Sequence, residues 1–481
     1  MKYYSSPDLY RTGSVVYYSL QDGSLRNVSA GVADFAYSVG RNTLILKKAK
    51  NSLFLAEIRE AGENDLKLTE KEIDVSRIKV RIEPMKEWSL IFDEAWKLAV
   101  ENYWDEKKAV SIGSEVYGKY EPLSATVSTR YELSEIIREM QGEFGTSHSY
   151  EMGGDLSEIE EYPVGKLGSD LMLSNGEYVI GKIFCGDPSN ENEKSPLLTG
   201  TSTAHEGDVI LSIDGTKPDS ANPPGKILHN RYETPVQIEI RQKSGLKSTI
   251  FVTPVKDDRY IRYRSWVEEK REYVHRKSGG KIGYVHIPDM GLNGFSEFFR
   301  LYGVEAEMES LIVDVRYNGG GSVSQLLLEK LYRKRLGYDI PRRGNMHPYP
   351  ADSVNGPIVA ITNESAGSDG DIFSHAFKLL NIGPVIGTRT WGGVVGINPR
   401  RKLVDGTTVT QPEFALWFGD VGFGIENHGA EPETVEYMPQ DYQSGNDPQL
   451  DMAIRKVMEL LEEKGHLVDF REDAPGKHSG K

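Results

Sequence analysis

Cysteine is almost missing from this chain. Among 481 residues Cys185 stands alone, so no disulfide can close within the chain and no multi-cysteine metal site can form. Its plainest reading is a small buried apolar residue in a reducing compartment. No apolar run reaches about 18 residues, and the opening MKYYSSPDLYRTG lacks the hydrophobic stretch of a secretion signal; a cytoplasmic location without a membrane partner is expected. A positive surplus is missing too. Asp and Glu number 72 against 57 Lys and Arg, a formal charge of −15, which disfavours nucleic acid as a partner and welcomes basic ligands. Metal-ligand spacings of the HExxH kind are absent, so neither metal nor cofactor is expected.

What is present divides by period. At about 100–200 residues per domain, three or four domains are expected. From Ser14 to Arg59 the segments SVVYYSL, DFAYSVG, NTLILKKAK and SLFLAEIRE alternate in period two between turns, reading as antiparallel strands that resemble one or two β-propeller blades. A propeller needs several blades to close. The chain is therefore expected to be the C-terminal part of something longer, or to have its blade edge covered by another surface. After Pro84 the spacing turns helical, with Trp88, Phe92, Ala95, Trp96, Ala99 and Val100 on one stripe, then a second helix from about Arg130 to Phe144 that breaks at Gly145. Strands return between Tyr162 and Pro254, and EGDVILSIDGTKP at Glu206 to Pro218, followed by a helical candidate at Pro224 to Asn230, resembles a PDZ domain. Such domains bind peptide ends by strand addition. The segment Asp187 to Thr203, rich in Asn, Glu, Ser and Thr, reads as a solvated loop. A stretch of mixed charge, Lys256 to Lys281, leads into alternating strands and helices: KIGYVHIPDM, a helix near Gly294 to Tyr302, SLIVDVRYNGGG, SVSQLLLEKLYR, PIVAITN, GDIFSHAFKLL and PVIGTRTWGG. That alternation predicts an α/β core with strands buried by helices. An amphipathic helix at about Pro448 to Lys464 precedes a polar tail.

The expected architecture is multidomain α+β: partial propeller blades over 1–80, a small helical domain over 81–161, a PDZ-like β domain over 162–256, an α/β core over 257–465 and a flexible tail over 466–481.

Chemistry concentrates in NESAGSDGDIFSHAF, Asn363 to Phe377. A buried strand, a tight Gly/Ser turn and a helix follow in order, so Ser368 sits beside the unpaired N–H donors and partial positive charge of a helix start. This suits a nucleophilic hydroxyl with a nearby oxyanion; the plainer reading is a helix cap. A nucleophile needs a base. His375 lies seven residues on, roughly 10 Å along a helix, too far for direct proton transfer. His428, after VGFGIEN, reads as a loop ligand or turn residue, and His148, in GTSHSY, sits in a loop with no packing role of its own.

The segments IGYVHIPDM, LIVDVRYNGGGS, NESAGSDGDIF, VIGTRTWGG and ENHGAEPETV occur in the order seen in the C-terminal, or tail-specific, processing proteases, over about Lys281 to Tyr437. Those relatives use a Ser–Lys dyad with the lysine directly after a Thr-aromatic-Gly motif. Here Thr390-Trp391-Gly392 is followed by Gly393, and the lysine is absent. With GTSHSY ahead of the PDZ-like segment and propeller-like strands ahead of that, the chain resembles the C-terminal half of the tricorn-type proteases. The resemblance implies Ser368 as nucleophile, His148 as base, and Ser147 and Glu426 completing a Ser-His-Ser-Glu tetrad. It implies a preference for basic or hydrophobic residues before the cut and places Asp339, in LGYDIP, at the substrate-binding specificity pocket. Oxyanion donors would be the N–H of Asp369 and of a loop glycine, Gly321 first and Gly320 second. A P-loop is not expected, because no GK[ST] follows the glycines. The implied activity is endoproteolysis of oligopeptides, such as those left by the proteasome, within a homo-oligomer that is hexameric in the family and passes products to aminopeptidases. Two alternatives stand beside it: a Ser–Lys protease using Lys378 or Lys402, and a non-enzymatic PDZ-type peptide-binding scaffold.

Overall fold

A computed structural model describes residues 2–3, 13–20, 23–38, 40, 43–48, 52–60, 66–75, 77–156, 162–190, 193–198, 204–343, 345–398 and 401–465. The tail expected over 466–481 lies outside the described residues, as does part of the loop expected at 187–203. The chain divides into two compact units, Met1–Pro84 and Met85–Lys481.

In the first unit, β1 (Lys2–Tyr3), β2 (Gly13–Tyr18), β3 (Leu25–Ser38), β4 (Thr43–Lys48), β5 (Leu53–Glu60) and β6 (Leu66–Glu72) form one antiparallel sheet in chain order. Leu44 and Leu46 are buried on either side of exposed Ile45, the period-two signature of a sheet with one covered face. Val15, Val32 and Ala56 complete its small core.

The second unit opens with three helices, α1 (Pro84–Asn102), α2 (Glu106–Ser124) and α3 (Arg130–Gly142). Ile91, Phe92, Ala95, Leu133, Ile137 and Met140 close their shared core. A side-chain oxygen of Asp105 caps α2 and that of Thr129 caps α3, satisfying donors the helix cannot. After β7 (Glu151–Met152) comes a five-stranded antiparallel sheet of β8 (Ser169–Ser174), β9 (Glu177–Ile183), β10 (Val209–Ile213), β11 (Val236–Arg241) and β12 (Lys247–Val252), with the short α4 (Pro224–Ile227). Two sequence expectations are corrected here. Leu197, in the supposed solvated loop, is fully buried in the core of this sheet, and Asp187 is buried against Arg300 and Ser189. Cys185 is exposed rather than buried.

The mixed-charge stretch is a helix, α5 (Arg259–Ser278). Its apolar stripe is thin, and Arg264 is buried because a carboxylate, Glu297, meets its guanidinium. Then follow β13 (Ile282–His286), α6 (Leu292–Glu305), β14 (Ser310–Asp314), α7 (Ser324–Tyr332), β15 (Gly337–Asp339), β16 (His347–Tyr349), β17 (Ile358–Thr362), α8 (Asp369–Leu379), β18 (Val385–Gly387), β19 (Gly396–Ile397), β20 (Thr408–Val409), β21 (Pro412–Phe414), β22 (Glu433–Thr434), α9 (Pro439–Ser444) and α10 (Pro448–Lys464). Five of these strands make a parallel sheet in the order β13-β14-β17-β18-β22. Helices α6, α7 and α8 cover one face through Phe298, Tyr302, Leu327, Leu331, Phe373 and Phe377, and α5 and α10 cover the other through Val267, Val274, Leu450, Ala453 and Val457. Being covered on both faces, β14 and β17 are buried at every position, which explains their unbroken apolar runs. The loops leaving β14, β17 and β18 emerge at the carboxyl ends of their strands, where open α/β sheets build their sites.

Candidate active site

Ser368 stands at the junction between β17 and α8 with φ +57° and ψ −119°. This is a backbone conformation that costs a non-glycine residue about 1–3 kcal/mol and tends to occur where geometry matters. Its hydroxyl makes no helix-capping bond, so the capping reading of the sequence does not hold for the side chain. The Asp371 carboxylate, one turn into the helix, lies near the N–H of Ser368. Two glycines make room for the turn. A Cβ on Gly320 would lie 2.5 Å from Ser368 Cβ, and one on Gly367 would lie 2.8 Å from the Trp391 ring.

The glycine loop after β14 is fixed by Asn318, whose amide donates to the Ile287 carbonyl at 2.8 Å and whose Oδ1 accepts the N–H of Gly320 at 2.9 Å. That bond corrects one expectation: Gly320 has spent its N–H and cannot serve an oxyanion. Among the described residues no acceptor is present for the N–H of Gly321 or of Asp369. The Asp369 carboxylate turns away to cap α7, accepting the N–H of Ser324 at 2.9 Å and its hydroxyl.

A second group converges from far along the chain. Glu426 accepts the N–H of Ser147 at 2.6 Å on Oε1 and its hydroxyl at 3.1 Å on Oε2. Ser147 Oγ lies 2.8 Å from His148 Nδ1. A serine hydroxyl has one proton, and here it goes to the carboxylate. The Oγ must then accept from Nδ1–H, which leaves Nε2 of neutral His148 as an acceptor. His148 itself has φ +61°. It is pinned by Thr410, whose hydroxyl donates to the His148 carbonyl at 2.6 Å and accepts the Tyr150 N–H at 2.8 Å. Burial pushes the imidazole below its ordinary pKa, and Glu426 pulls it part of the way back.

Among the described residues no hydrogen bond joins Ser368 to His148. They are linked through Trp391, whose ring meets the imidazole edge-on with centroids 5.4 Å apart and also packs over Gly367. The other histidines weighed are engaged elsewhere. His375 Nε2 pairs with Asp420 at 3.2 Å and its ring packs on Phe418, while exposed His428 pairs with Glu431 at 3.1 Å. His286, which the sequence reading passed over, is buried between the Tyr263 hydroxyl and the Arg316 carbonyl. Among the described residues no contact joins either candidate lysine to Ser368. Lys378 lies ten residues along α8 from Ser368, roughly 15 Å of helix, with its ammonium on the Glu431 carbonyl, and Lys402 is exposed. Asp339 is exposed on β15, opposite His347; no contact among the described residues ties it to Ser368 or His148.

Thr410 and Asp371 were not singled out from sequence, and Trp391 and Asn318 stood only within quoted motifs, with no role given. Asp371 had a faint signal as an acid three residues into the helix after a serine; Thr410 carries none, because its partners are remote.

The fold and site are those of a hydroxyl-bearing strand–turn–helix in an S41-type α/β core. Residues 281–435 match the model of Peptidase family S41, residues 165–257 that of the tricorn protease PDZ domain, and residues 84–142 that of the tricorn protease C1 domain. The Tricorn protease of Thermoplasma volcanium is 47% identical over 451 residues, covering 94% of this chain and 43% of its own length. The Tricorn protease homolog of Saccharolobus solfataricus is 46% identical over 456 residues, covering 93% and 42%. A crystal structure of the tricorn protease superposes with a TM-score of 0.88 at 45% identity, covering 94% of this chain and 44% of that one. The chain belongs to the tricorn protease family. It spans less than half the length of these relatives.

Proposed function

We propose that this chain is the catalytic portion of a serine endopeptidase that cuts oligopeptides through an acyl-enzyme. Ser368 attacks the scissile carbonyl while Nε2 of His148 takes its proton and later delivers it to the leaving amine. Ser147 passes the orienting influence of Glu426 to the imidazole, doing through a hydroxyl what a direct carboxylate does in the commoner triad. The N–H groups of Asp369 and Gly321 stabilise the oxyanion. The observation that carries this reading is the Glu426–Ser147–His148 chain of bonds, which prepares Nε2 as a proton acceptor on a residue packed, through Trp391, beside the strained Ser368.

Asp339 in the substrate-specificity pocket, assembly into a homo-oligomer, hexameric as the resemblance implies, hand-over of products to aminopeptidases and a cytoplasmic setting belong to the same reading. The decisive experiment compares hydrolysis of short fluorogenic peptides by the wild type, Ser368→Ala, His148→Ala and His375→Ala. Activity is expected to vanish in the first two variants and persist in the third. Equal turnover by wild type and Ser368→Ala would sink the proposal.

A further inference from the structure

Two carboxylates close on one short loop. Asp371, fully buried at the third position of α8, accepts the N–H of Gly392 at 2.8 Å and that of Gly393 at 3.3 Å. The Thr390 hydroxyl and the N–H of Ser368 lie near it and favour its ionised form. The next two N–H groups of the loop, from Val394 and Val395, go to Oε2 of Glu426 at 2.7 and 3.0 Å. Four consecutive amides thus run from the carboxylate one turn beyond Ser368 to the carboxylate that ends the chain of bonds from His148.

The named partners of Asp371 are all uncharged, so it balances no buried cation, and burying an ionisable group in such a place is costly. What its position does achieve is spacing. The same loop is tied to the serine turn by the Trp391 N–H on the Ala366 carbonyl at 3.0 Å, and to the Glu426 loop by the Asn427 N–H on the Gly392 carbonyl at 2.7 Å. Trp391, the residue packed against both His148 and Gly367, directly precedes Gly392, whose N–H Asp371 binds. Movement of Asp371 would therefore shift both sides of the site together.

We propose that Asp371 is a positioning residue: through the amides of Gly392 to Val395 it sets the distance between Ser368 and the Glu426–Ser147–His148 relay. This rests on the reading of Ser368 as nucleophile and His148 as base.

The test uses Asp371→Asn, which keeps the size but turns an N–H₂ toward N–H donors. Amide hydrogen exchange is followed at residues 390–395 and in α10, and covalent labelling by a fluorophosphonate is split into a binding constant and an inactivation rate. Exchange at Gly392 and Gly393 is expected to rise at least about 10-fold with α10 unaltered, and the inactivation rate to fall about 10- to 100-fold with binding unchanged, as misplacement of reacting groups predicts. Should the Asn variant fail to fold, Thr390→Val removes the hydroxyl that neighbours Asp371 and accepts the Ala430 N–H at 2.7 Å, and is expected to slow labelling about 3- to 10-fold, with Thr390→Ser restoring it. A wild type labelled at Ser368, together with equally fast labelling of Asp371→Asn or of Thr390→Val, overturns this inference alone. A wild type that is not labelled at Ser368 removes the nucleophile reading and this inference with it.

Discussion

The hydroxyl of Thr410 donates to the carbonyl of His148 at 2.6 Å while accepting the N–H of Tyr150 at 2.8 Å. One side chain from β20's end thereby spans the residue whose φ of +61° would otherwise relax. Thr410→Val should lower kcat about 10-fold or more with little change in KM, and Thr410→Ser should restore it. Peptide hydrolysis under saturating and limiting substrate separates the two constants; a change confined to KM would refute the positioning role.

Burial holds His148 below the ordinary imidazole pKa. His148 stays neutral into mildly acidic solution, so, with His148 as the base proposed above, the acid limb of kcat/KM should fall below pH 6.5. The sign for stability follows from the same shift. Between the folded pKa and the unfolded value the unfolded chain binds more protons, so this group's contribution to stability rises with pH until about 6.5 and is lost on acidification. A rate limb centred above 6.5 would contradict the assignment of the base.

Asp371 behaves in the opposite way. Burial raises its carboxyl to about 6, against the donors that hold it. The folded state then binds more protons than the unfolded one between about pH 4 and 6, and stability from this group declines as pH rises, by about 3 kcal/mol at most. Asp371→Asn lacks that decline. Denaturation of both proteins at pH 4.5 and 7.5 should therefore favour the variant, relative to wild type, at the higher pH; a constant difference would count against the raised pKa.

Arg130 is a buried stitch: its guanidinium donates to Glu151 at 2.8 Å, to Asp405 at 2.9 Å, and to Ser134 and Thr407. Arg130→Met strands two buried carboxylates and should cost about 3–5 kcal/mol in denaturant unfolding. A loss below about 1 kcal/mol would show the carboxylates finding water or protons cheaply.

Installing the missing lysine should not create a dyad. A Cβ at Gly393 would lie 2.3 Å from the Trp391 ring, so Gly393→Lys must push that ring off His148. Near-complete loss of fluorophosphonate labelling is expected, and Gly393→Ala should already be impaired. Retained activity in the double variant Gly393→Lys, His148→Ala would favour the lysine mechanism.

Much of the core could be read from sequence because its forces are local. The unbroken apolar runs of β14 and β17 announce strands covered on both faces, and the Gly/Ser turn before α8 announces Ser368. The helix α5 was hidden because its buried Arg264 is legible only with Glu297 in view. Burial misled at Cys185, whose exposure depends on how the strand end meets solvent. In the site, Ser147, His148 and Glu426 could be assigned only by resemblance, since no periodicity links residues so far apart. Thr410 and Asn318 were silent for the same reason.

That separation has a consequence for how the molecule is made. Ser147 and Glu426, bonded in the fold, are 279 positions apart in the chain. Closing so long a loop comes late and depends on distant segments meeting. During synthesis the histidine emerges well before the serine, and its orienting carboxylate later still. On the proposed mechanism, the nascent chain carries the parts of its proton relay unassembled until Glu426 has folded back against Ser147.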